Sequence, residues 1–268
     1  MLTSIVLFLI MGSFVGVLAG LLGVGGGLVI VPMLGYTFAL QGISGEYLHH
    51  MALGTSLATI VFTSTSSFLA HHRNNAVIWG IAASITPGVI LGAFLSGMVA
   101  AYLSAILLKI FFVIFLLYVG VQMLLNIKPK ASREIFGFLG NTAAGGVIGA
   151  VSSFVGIAGG LLSISYMVWC NVPMHKAIGT SAAIGFPVAL AGTVGYLVSG
   201  LAIEGLPGPH IGFIYLPALI GITAASVCTA PLGVKLSHSL PVPKLKKVFA
   251  GLVFVVAAQM IYSIITAA

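Results

Sequence analysis

The chain has 268 residues, 60% of them hydrophobic and only 5% Asp, Glu, Lys or Arg, with a formal net charge of +7. A typical soluble domain carries about 25% charged residues, so this composition excludes a soluble fold. It also excludes a nucleic-acid binder, because the ten basic residues are scattered between apolar runs and read as topology signals.

The runs are long enough to cross a hydrocarbon core, which takes about 20 residues per helix. They are continuously apolar, without the in/out alternation of barrel strands. The expected fold is an all-α integral membrane protein. The start, Met1-Leu2-Thr3-Ser4, lacks the basic region of a cleavable signal peptide, so the first helix is expected to be retained. Apolar segments follow at 2–22, 25–40, 50–70, 77–102 and 106–126. The second is short and opens on Gly23-Val24-Gly25-Gly26-Gly27, and the third opens on His50-Met51-Ala52-Leu53-Gly54-Thr55-Ser56. After a linker containing Lys128, Lys130 and Arg133, five more segments run at 136–155, 158–170, 176–199, 211–235 and 245–267.

The second set repeats the marks of the first. Gly156-Ile157-Ala158-Gly159-Gly160 stands 133 positions after the first glycine cluster, again at the head of a short segment. His175-Lys176-Ala177-Ile178-Gly179-Thr180-Ser181 stands 125 positions after its counterpart. The chain therefore divides into a first transmembrane repeat, 1–127, a cytoplasmic linker, 128–134, and a second repeat, 135–268. The expected architecture is 5+5 helical segments: eight full spans plus two short broken or re-entrant pieces, or ten spans.

Basic residues collect on the cytoplasmic side of membrane proteins. With the 128–134 linker inside, Arg73, Lys128, Lys130, Arg133, Lys176, Lys235, Lys244, Lys246 and Lys247 all fall inside, and only Lys109 falls outside. Both termini then lie on the extracytoplasmic side of a cell (inner) membrane. Five segments per half is an odd number, so the second repeat is expected to be inverted. Such a repeat allows a substrate site near the midplane to face either side in turn.

Candidate site residues come from the duplicated motifs. Glycines expose backbone N–H groups without a Cβ in the way, and irregular backbone at membrane depth is tolerated only inside protein or along a cavity. A helix starting there presents the positive end of its dipole, which suits an anion. Gly25, Gly26 and Gly27, with Ala158, Gly159 and Gly160, are therefore expected to bind substrate. Packing, as expected of Gly12, Gly16 and Gly20, is the alternative. Thr55, Ser56, Thr180 and Ser181 offer hydroxyls to the same site or, equally, to helix carbonyls. His50 and His175 are weaker candidates, better suited to capping a helix start near each mouth.

No metal or other cofactor is expected. His49-His50 and His71-His72 are adjacent pairs whose members face apart on a helix, and Cys170 and Cys228 read as buried free thiols. The chain has no Asp, and Glu46, Glu134 and Glu204 fall in loops, which leaves no intramembrane carboxylate for a proton relay. It also lacks a phosphate loop and a GxSxG motif. An enzyme is not expected.

These motifs, with Arg73-Asn74-Asn75-Ala76-Val77-Ile78-Trp79 after the third segment and paired Leu103-Ser104/Leu236-Ser237 and Gln122-Met123/Gln259-Met260, resemble the TauE/SafE family. The resemblance runs from about Ile10 to Met260. It implies a secondary transporter exporting a small anion, sulfite or an organosulfonate such as sulfoacetate, by alternating access. Ala158 stands where the first cluster has Gly25, which sets the halves apart. The alternatives are a carrier of another solute, such as a carboxylate or a neutral metabolite, and a non-transporting scaffold subunit. The expected partners are the small anion and membrane lipids, with no nucleic acid.

Overall fold

The computed structural model describes residues 2–22, 26–43, 45–125, 135–239 and 242–267, without the side chains of 2–4, 22, 237–239, 242–248 and 266–267. Gly25 and the 128–134 linker lie outside the described residues. In chain order the helices are α1 (Leu2–Leu22), α2 (Gly27–Leu40), α3 (Leu48–Arg73), α4 (Trp79–Ala100) and α5 (Ala105–Leu124), then α6 (Phe138–Val155), α7 (Gly160–Trp169), α8 (Met174–Leu201), α9 (Leu216–Ser239) and α10 (Val242–Ala267). The protein is an all-α membrane protein. Six described helices (α3, α4, α5, α6, α8 and the Leu216–Leu236 part of α9) are long and apolar enough to cross a bilayer. At 1.5 Å per residue, α2 and α7, with 14 and 10 residues, reach only about 21 and 15 Å.

The helices pair across the two halves of the chain. α1 lies against α9 and α4 against α6, while α3 crosses α8 at the centre and α5 packs on α10. Lipid supplies no hydrophobic drive for such pairing, so close backbone approach has to supply it. A Cβ on Gly12 would sit 2.4 Å from the Ile222 carbonyl oxygen, on Gly16 2.4 Å from that of Ser226, and on Gly20 2.0 Å from that of Ala230. The α4–α6 pair is as tight: a Cβ on Gly88 would lie 1.7 Å from the Thr142 oxygen, and one on Gly149 would lie 2.4 Å from the Val89 oxygen. In both pairs the residue numbers rise together along the seam, so the helices run parallel. Outside, α5 turns Leu107, Ile114 and Tyr118 to the surroundings, as a lipid-facing helix does.

One segment differs from its expected form. The ninth segment was expected from 211, but α9 begins at Leu216, because 210–215 form a short antiparallel hairpin pairing His210 with Tyr215 and Ile211 with Ile214. Pro207, Gly208 at φ +71°, Pro209 and Gly212 at φ +52° stop a helix there.

The glycine seams are open to a direct test. Gly16→Leu and Gly88→Leu drive a side chain into facing backbone and should each cost at least ~1–3 kcal/mol. Gly251→Leu on α10, where a Cβ meets nothing within 4 Å, should leave the melting temperature in detergent unchanged. Equal melting temperatures for all three variants would contradict the seam assignment.

Candidate functional site

The two broken-helix turns meet at the centre of the bundle. Gly26 at φ +78° precedes α2, and Gly159 at φ +70° precedes α7, with Gly156 at φ +69° closing α6. All three are left-handed positions that glycine fills without strain. A Cβ on Gly27 would lie 2.2 Å from the Gly156 carbonyl oxygen and 2.9 Å from the Ile157 Cα, so the turns touch through backbone. Ala158 packs its methyl against Gly185 of α8, and Gly159 lies over Ser152 and Ile148 of α6. Gly26, Gly27, Ala158, Gly159 and Gly160 are all buried. No side chain caps either helix start. The first amides of α2 and α7 thus lack intrahelical acceptors and point their dipole ends, roughly half a positive charge each, into the protein.

The Gly-Thr-Ser motifs bind the halves together. Thr55 Oγ1 accepts the Tyr215 N–H at 2.8 Å, and Thr180 Oγ1 accepts the Ile78 N–H at 2.9 Å. Each hydroxyl therefore holds the extended segment that leads into a helix of the other half, α9 or α4. The preceding glycines make room: a Cβ on Gly54 would lie 2.6 Å from the Phe213 oxygen, and one on Gly179 would lie 2.5 Å from the Ala76 oxygen. The Lys176 ammonium adds a hydrogen bond to the Asn75 carbonyl. Ser56 Oγ donates to the Gly156 carbonyl at 2.7 Å, which fastens α3 to the opposing turn. Ser181 Oγ donates back to the Ile178 carbonyl at 2.8 Å.

The histidines part company. His50 Nε2 lies 3.0 and 3.1 Å from the carbonyls of Ala100 and Leu103. Both partners are acceptors, so Nε2 carries the proton and the ring closes the end of α4 rather than the start of its own helix. It also stacks on Phe213 with centroids 5.3 Å apart. His175 is exposed. Cys170 is buried, whereas Cys228, also expected to be buried, is exposed; it sits on a flank of α9 that the motif spacing did not resolve.

Other polar residues around the turns carried no motif. Ser152, Ser153 and Ser163 are fully buried, and Tyr196, also fully buried, donates its hydroxyl to the Ser153 carbonyl at 3.2 Å. The available signal was alignment of the halves: Ser153 stands 133 positions after Gly20, a polar residue where a small-residue seam continues.

Thr55→Val and Thr180→Val each leave a buried backbone N–H without its acceptor. Each should lower stability by about 1–3 kcal/mol and Thr→Ser by much less, read from thermal unfolding of the purified protein in detergent. A valine variant melting with the parent would show that these hydroxyls do not hold the crossovers.

The model of the family described as "Sulfite exporter TauE/SafE" matches residues 8–260. A "Probable membrane transporter protein" of Haemophilus influenzae is 36% identical over 261 residues, covering 97% of this chain and 99% of that one. Proteins with the same description from Methanocaldococcus jannaschii and Bacillus subtilis are 27% and 25% identical, over 95% and 97% of this chain and 94% and 98% of theirs. No solved structure matches. With a family match across nearly its whole length and relatives that are membrane transporters by description, the chain belongs to the TauE/SafE sulfite exporter family.

Proposed function

We propose that this protein is a secondary transporter that exports a small anion, sulfite or an organosulfonate such as sulfoacetate, by alternating access between two inverted repeats. The observation that carries this reading is the contact of Gly27 with Gly156 and Ile157, where the start of α2 meets the turn between α6 and α7 in the core. Substrate sites of secondary transporters recur where broken helices from two repeats meet.

The helix pairings support the inversion. Exchanging α1–α5 with α6–α10 turns the α1–α9 pair into α6–α4, α2–α3 into α7–α8 and α3–α9 into α8–α4, and every one of these pairs exists. The threonine clips obey the same exchange. In this reading the amides of Gly25–Gly27 and Ala158–Gly160 receive the anion, Ser56 and Ser181 line it, and Thr55 and Thr180 keep the crossovers in register. Export needs no intramembrane carboxylate. With the cytoplasm negative, moving one negative charge outward gains about 2.3 kcal/mol per 100 mV, a gradient of roughly forty- to fiftyfold. The description of the family as a sulfite exporter supports the substrate class.

The test is flux in proteoliposomes of purified protein, with a potential imposed and sulfite, sulfoacetate, thiosulfate and sulfate offered in turn. The account expects potential-driven flux for at least one oxidised sulfur anion. It also expects Gly27→Val, which forces side-chain atoms into the opposing turn, to abolish that flux. Absence of flux across the panel, with the protein folded, would overturn the reading.

A further inference from the structure

A cavity of about 430 Å³ opens between α2, the start of α3, α5 and α10, lined among others by Tyr36, Glu46, His49, Lys109, Gln259 and Ser263. It lies at the end of the bundle that the charge distribution assigns to the outside. Its inner wall includes Val31, and the Val31 Cγ2 atom would lie 3.1 Å from a Cβ on Gly156. The cavity thus ends one side chain away from the paired turns.

His49 is 7% exposed, its Nε2 is buried without a hydrogen-bond partner among the described residues, and its ring meets the edge of Phe112 and the backbone of Leu108, with Lys109 close by. Half-buried Lys109 forms no ion pair among the described residues. Gln259 and Ser263 are exposed on α10 at a depth where polar side chains face a water-filled space or a partner group.

The matching positions of the other half carry different residues. Gln122, which stands 137 positions before Gln259, donates to Ser165 at 2.9 Å. The positions that match Ser165 and Val168 in α7 are Pro32 and Gly35 in α2. Proline and glycine offer Gln259 no side-chain hydroxyl of the kind that Ser165 gives Gln122.

We propose that this cavity is an outer anion vestibule. Lys109 supplies the positive charge, and the Gln259 amide donates a hydrogen bond to an oxyanion next to the turns. The proposal rests on the anion-transport reading and adds to it a docking place for a sulfonate or sulfite group. Glu46, exposed at the cavity's edge, opposes the lysine there and limits how long the anion stays. Tyr36 and Tyr262 are the other titratable side chains that line the cavity.

The test reads charge without needing transport. Cys170 and Cys228 are replaced by Ala and Ser, and Gly35→Cys places a thiol in the cavity, where an added Cβ meets nothing within 4 Å. The purified protein is then labelled with anionic sulfonatoethyl or cationic trimethylammonium-ethyl methanethiosulfonate. The anionic reagent should react faster by about tenfold. Lys109→Gln should remove that preference, Glu46→Gln should increase it, and Lys235→Gln on α9 should leave it alone. Methanesulfonate should slow labelling, and Gln259→Leu should weaken that protection. Equal rates for the two reagents, or a thiol that neither reaches, would overturn the vestibule even where sulfite flux is intact. Charge-selective labelling without flux would uphold the vestibule and count against the transport reading.

Discussion

Backbone that breaks from helix inside a membrane has to be enclosed by protein, because lipid offers its N–H and C=O groups nothing. The rest of this structure follows from that constraint. The turns before α2 and α7 are enclosed by each other, Gly27 against Gly156, and by the two central helices, α3 through Ser56 and α8 through Gly185. The α1–α9 and α4–α6 seams hold the outer helices close enough to complete the enclosure. Polar backbone is thereby concentrated at one place and kept away from lipid everywhere else.

The same economy explains why the Gly-Thr-Ser motif occurs twice. Glycine lets an extended segment of the opposite half lie across the helix and threonine accepts that segment's amide, while Ser56 reaches for a turn and Ser181 bonds back to its own helix. Each half is therefore clasped by the other. Under the proposed alternating access, each half carries the segment it clasps, and the contact that opens is the one between Gly27 and Gly156.

Much of this was legible in the sequence. The helix bounds follow the apolar runs to within a few residues, since composition alone marks where lipid must be met, and both short helices start at their glycine clusters. The hairpin at 210–215 was not legible, because Ile211, Phe213, Ile214 and Tyr215 are as apolar as the helix they precede. Thr55 and Thr180 were visible as a pair, but their partners Tyr215 and Ile78 lie 160 and 102 residues away, a relation that no local spacing encodes. The outer cavity escaped notice for a similar reason. Lys109, His49 and Gln259 belong to three different helices and share no motif, and only the pairing of α5 with α10 and of α2 with α3 brings them together.

The halves are matched but not equivalent. Proline and glycine in α2 stand where α7 has serine and valine, and His50 is sequestered under α4 while His175 is exposed. The central claim is that the turns part to admit an anion, and a high-resolution density map of the protein saturated with sulfite tests it most directly. The account predicts separated turns with an oxyanion between Gly27 and Gly156, accepting from the first amides of α2 and α7. An anion held along another route, with the two turns still in contact, would contradict it.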